Sequence, residues 1–109
     1  MAWTYIVIAG LIEIAWAVGL KYTNGFTRPG PTVLVVLGMI LTYVMLAQGI
    51  KTIPVGTAYA VWTGIGAAGT AIWGIARLGE PFTPTRVICI GLIIAGIVGL
   101  KLASPAASN

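Results

Sequence analysis

The chain has 109 residues, of which 59% are hydrophobic and 7% charged, with a mean hydropathy of +1.03 and a pI of about 9.7. So few charges cannot wet the surface of a soluble domain, and the composition defines an integral membrane protein. The six Lys and Arg stand singly at segment ends, which excludes a nucleic-acid face, and the lone Cys89 with no histidine excludes an internal disulfide or a Cys/His metal cluster.

Four apolar runs, at roughly 3–20, 32–50, 55–76 and 85–102, predict four transmembrane helices in an all-α membrane domain covering residues 1–109. The runs are continuous and do not alternate with period two, which argues against a lipid-facing β-barrel. In the first run Ala15-Trp16-Ala17 imitates a signal-peptide cleavage site, but no basic segment precedes the apolar stretch and Glu13 interrupts it. It reads as a retained membrane helix.

Glu13 is the most informative residue of that helix. With a rise of ~1.5 Å per residue it lies near the bilayer midplane. A charge there costs roughly 2.5–3.5 kcal/mol on insertion scales, and the chain has no basic residue at that depth to pair with it, so the default reading is a functional site. Gly10, Trp16 and Ala17 share its helical face. Trp3 and Tyr5, near the helix start, read as interface anchors.

The link Lys21–Pro31 contains Asn24-Gly25 and two prolines, Pro29 and Pro31, which end one helix and begin the next. In the second helix Gly38, Thr42, Met45 and Gly49 share a face, and Thr42 carries one of the few hydroxyls at membrane depth. Tyr43 reads as packing or lipid contact. After the tight hinge Lys51–Pro54, the third helix carries a small-residue stripe, Gly56, Ala60, Gly64 and Ala68, beside a second stripe of Tyr59, Trp62 and Gly66. Gly64 and Gly66 weaken the helix at mid-membrane and are candidate hinge positions. Trp73 reads as packing or lipid contact. In the loop Arg77–Pro84, Glu80 is expected to form a solvated surface ion pair.

The fourth helix repeats Gly91, Ala95 and Gly99, with Gly96 beside them, as a face for contact with another helix. Cys89 reads as a small apolar packing residue, Lys101 as a side chain snorkelling to the interface, and residues 103–109 as a short disordered tail. Lys21, Arg28, Arg77 and Arg86 fall on one side of the membrane, and Lys51, Lys101 and the amino terminus on the other. So weak a bias predicts insertion in both orientations.

These residues define a chemistry. Low-dielectric surroundings disfavour an ionised carboxylate, so protons compete for it; an organic cation instead favours the ionised form, with cation–π support from Trp16, Tyr59 and Trp62 of ~0.5–2 kcal/mol each. Proton and cation then exclude one another at one group, which is the minimum chemistry of an antiporter. Covalent catalysis lacks its nucleophile and base, and there is no phosphate-binding loop for an ATP-driven pump. No cofactor is implied. One four-helix chain is also too small to enclose a two-sided path and would leave Glu13 facing lipid, so a homodimer is expected. The chain has no internal repeat, so any inverted symmetry must come from a second copy.

Along nearly its whole length the sequence resembles the small multidrug resistance transporters. The resemblance rests on Glu13, Asn24-Gly25-Phe26-Thr27-Arg28, Ala47-Gln48 and the long stretch Ile53-Pro54-Val55-Gly56-Thr57-Ala58-Tyr59-Ala60-Val61-Trp62-Thr63-Gly64-Ile65-Gly66. Trp16-Ala17 followed by Leu20-Lys21, with Lys51-Thr52 and Gly99-Leu100-Lys101, looks like the guanidinium-exporting subtype. The resemblance implies an antiparallel, dual-topology homodimer in the bacterial inner membrane that exchanges guanidinium for protons. It also implies that Glu13 binds both ions, that Trp16, Tyr59 and Trp62 wall the pocket, and that Gly10 lines it. Thr42 falls where that subtype often has serine; its hydroxyl can still bond Glu13, while the added methyl changes the shape of the pocket. Two other functions remain open at this point: a broad multidrug antiporter for quaternary ammonium or aromatic cations, and a structural subunit in which Glu13 only pins helix association.

Overall fold

The computed structural model describes residues 2–103. It contains four α-helices, α1 (Ala2–Leu20), α2 (Pro29–Gly49), α3 (Val55–Arg77) and α4 (Pro84–Ala103), with a 3₁₀ turn at Lys21–Thr23. No strand occurs among the described residues. The tail predicted at 103–109 lies outside them beyond Ala103.

Helix boundaries follow from proline chemistry. α2 begins at Pro29, three residues earlier than the sequence reading placed it, and α4 begins at Pro84. The first backbone N–H groups of a helix have no partner within it, so a proline there loses nothing and its fixed φ is already helical. The α1–α2 link turns through left-handed backbone at Asn24 (φ 50°), Gly25 (φ 70°) and Phe26 (φ 67°). Thr23 braces it: its hydroxyl donates to the Leu20 carbonyl at 2.8 Å, and its own carbonyl accepts the N–H groups of Thr27 and Arg28.

Among the described residues three helices are long and apolar enough to cross a membrane: the first, extended to Thr23, then α2 and α4. α3 has the length, 23 residues, but Gly, Thr, Tyr and Trp dilute its hydropathy. That composition suits an inner helix, because six of its residues are buried in the chain whereas α4 has none.

α1 is the central element, packed between α2 and α3, with α4 laid along the outside of α3. In lipid there is little hydrophobic drive between helices, so close approach at small residues does the work. Against α2 the register is antiparallel, Ile6 filling a notch at Gly49 and Trp16 one at Gly38. Against α3 it is parallel, with Gly10 under Ile65, Gly66 against Glu13 and Gly69 against Ile14. Trp3, Ile6, Ala9, Ile53, Ala58, Val61 and Trp62 form the buried core at one end.

Several expectations change here. Trp3 is no interface anchor: it is buried to 4% exposure, and the Lys101 ammonium lies 5.0 Å from its ring centroid. Cys89 is not packed; it is exposed on α4. The third-helix stripe divides, Gly64 meeting Ile93 and Ile97 of α4 and Ala68 buried, while Gly56 and Ala60 are exposed. The Glu80–Arg86 ion pair forms as expected, Nη2 donating to Oε1 at 3.0 Å.

Candidate functional site

Glu13 reaches from the middle of α1 onto α3 at Gly66. A Cβ at that position would overlap the carboxylate, so glycine is what admits it. Glu13 Oε1 is buried and has no hydrogen-bond partner among the described residues. A buried acceptor left unsatisfied costs about 1–3 kcal/mol, more if charged, which marks this oxygen as a place for a proton or a cationic donor.

One turn before Gly66 on α3 stands Trp62, buried and flanked by two tyrosines. Tyr59 lies 5.4 Å and Tyr43 5.5 Å from it, centroid to centroid, both tilted by 55°. The indole N–H of Trp62 donates to the Thr42 hydroxyl at 3.0 Å, and that hydroxyl donates to the Ala9 carbonyl at 2.6 Å. Thr42 therefore does not bond Glu13, contrary to the sequence expectation. Its bonds join α2 and α3 to α1 one turn before Glu13, at the carbonyl that the Glu13 N–H faces in a regular helix.

The other expected pocket residues are placed apart. Gly10 is buried beneath Ile65 in the α1–α3 contact. Trp16 turns toward α2, over Gly38, where it lines a cleft of about 390 Å³ with Tyr22 and Pro31, its indole nitrogen buried without a partner among the described residues. A single chain thus brings together Tyr59, Trp62 and Thr42, and seats Glu13 one turn along α3, but leaves Trp16 in another groove. Tyr43 is the residue that sequence reasoning missed. A tyrosine at mid-segment, away from either interface and next to a face-forming threonine, was the available signal.

α3 runs unbroken through Gly64 and Gly66. On α4, Gly91, Ala95, Gly96 and Gly99 are all exposed, and a Cβ built at any of the three glycines meets nothing within 4 Å. Among the described residues no group of His, Cys, Asp or Glu could hold a metal ion.

The fold and site define an all-α membrane protein organised around one carboxylate whose buried Oε1 has no partner among the described residues. A family model described as Small Multidrug Resistance protein matches residues 1–93. The chain belongs to the small multidrug resistance family. It is 56% identical over 104 residues to the guanidinium exporter of Citrobacter freundii, covering 95% of this chain and 99% of that protein. The guanidinium exporter of Yersinia pseudotuberculosis is also 56% identical, with 100% of its length covered, and that of Salmonella typhi is 54% identical.

Proposed function

We propose that this chain exports guanidinium in exchange for protons, as an antiparallel, dual-topology homodimer in the bacterial inner membrane. The observation that carries this reading is the buried Glu13 Oε1 in the body of α1, left without a partner among the described residues. The relatives named guanidinium exporters support the choice of cation. Guanidinium is planar, permanently charged and presents paired N–H donors that match a carboxylate, so it cannot cross lipid unaided but binds well where Glu13 stands.

In this reading Glu13 holds either a proton or the cation and never both. Tyr59 and Trp62 wall the cation, Thr42 fixes the Trp62 indole, and Trp16 lines the space that a second copy closes. Gly64 and Gly66 let α3 flex as access alternates, and Gly91, Ala95, Gly96 and Gly99 pack the two copies together. The test is exchange in liposomes loaded with guanidinium and a pH indicator. Purified protein acidifies the lumen as guanidinium leaves, and Glu13→Gln shows only the leak of empty vesicles. Coupled exchange that survives in the variant overturns the assignment.

A further inference from the structure

Trp62, Gly66, Thr70 and Gly74 recur every four residues and so form one stripe along α3. Two of these positions seat a carboxylate from elsewhere in the chain. A Cβ at Gly66 would overlap the Glu13 carboxylate, and a Cβ at Gly74 would overlap that of Glu80, whose N–H donates to the Gly74 carbonyl at 3.1 Å. Between them Thr70 holds a buried hydroxyl with no partner among the described residues. The chain has two acidic residues in all, and both carboxylates pack against this stripe, at glycines about 12 Å apart along the helix axis.

Part of the interval is open. A cleft of about 400 Å³ is lined by Ala17, Lys21, Thr70, Glu80 and Arg86 among others, and Ala17 in its wall stands one turn after Glu13 on α1. At its mouth Glu80 is already bound to a guanidinium group, that of Arg86, with Nη2 3.0 Å from Oε1. The two side chains are 38% and 42% exposed, so water competes for both partners and the pair exchanges readily.

We propose that Glu80 is a vestibule site for the free guanidinium ion, which displaces the Arg86 side chain and then passes the Thr70 hydroxyl to reach Glu13. The inference rests on the guanidinium reading above. One guanidinium replaces another on the same carboxylate, so the hydrogen-bond geometry is kept. Lys21 and Arg86 would repel a cation at this mouth, and Glu80 is the group that offsets them.

The experiment is guanidinium exchange kinetics in liposomes for the parent protein, Glu80→Gln and Arg86→Gln. Glu80→Gln raises KM several-fold, with the loss concentrated in KM and not in kcat. Arg86→Gln lowers KM at least twofold, because it removes both a competitor and a repelling charge. A merely structural ion pair predicts that both variants, which break the same contact, shift KM in the same direction; that result, or no shift in either, overturns the vestibule while leaving guanidinium export standing. If Glu80→Gln cannot be purified folded, an unchanged or raised KM in Arg86→Gln is sufficient to overturn it. A parent protein that exchanges protons for other cations but not for guanidinium removes both readings.

Discussion

Thr42 uses one hydroxyl to tie three helices together, and each bond can be tested separately from the residue's bulk. Thr42→Val keeps the shape but leaves the buried Trp62 indole N–H without an acceptor, a loss of about 1–3 kcal/mol. Thr42→Ser retains donor and acceptor and should unfold in detergent within a few degrees of the parent. If the valine variant is as stable as the serine variant, the hydroxyl does not hold Trp62. Gly66 makes a sharper case: Gly66→Ala places a methyl where the Glu13 carboxylate lies and should cut exchange at least tenfold, whereas Gly56→Ala, with open space around it, should be neutral. Glu13, Tyr59 and Trp62 were legible in the sequence because a membrane carboxylate is costly and aromatic spacing follows the helical period. The partner of Thr42 was not. Spacing says which residues share a face, but which neighbouring helix that face meets depends on how each helix is rotated in the bundle.

Helix existence was equally legible, since apolar length alone reports it, and only the ends shifted where prolines occupy first-turn positions. Pairing of the helices was less so, because a glycine stripe announces close approach without naming the side chain that enters it. The α1–α2 contact shows the logic. Ile6 projects into the notch at Gly49, its Cδ1 and Cγ1 nearest to where a Cβ would stand. Gly49→Ala overpacks this notch and should destabilise the protein by about 1–3 kcal/mol. Combining it with Ile6→Val, which deletes Cδ1, should recover more than half of that loss. The measurement is a double-mutant cycle on thermal unfolding in detergent, and additive losses would show that the notch is not where the two helices lock. Against α3 the same arrangement has been adapted: at Gly66 the knob entering the notch is a carboxylate.

At the scale of the whole molecule, the chain is a slab, 43 × 35 × 16 Å in the extent of its Cα atoms, little thicker than one helix. A slab cannot surround a passenger, and in the proposed assembly the part of the site that one chain leaves incomplete, with Trp16 turned toward α2 and Glu13 against α3, is the part least legible from a single sequence. The outer face of α4 has no buried residue and open space at Gly91, Gly96 and Gly99, so substitution there tests assembly without touching the fold of one chain. Gly91→Val with Gly99→Val should leave helical circular dichroism unchanged, reduce cross-linked dimer in detergent several-fold and remove exchange in liposomes. In the proposed dimer the orientation of the copies would follow from charge. Lys21, Arg28, Arg77 and Arg86 at one end of the helices face Lys51, Lys101 and the amino terminus at the other, a bias too small to fix one insertion direction. A C-terminal tag should therefore react with an impermeant label from both sides of sealed membrane vesicles, in comparable yield. Adding two arginines in the Lys21–Pro31 link, which makes six basic residues on that side against two and the amino terminus, should drive the tag to one side and abolish exchange by the variant alone, because two copies inserted the same way cannot form an antiparallel pair. Exchange that continues from a population labelled wholly on one side would mean that the path is built by parallel copies.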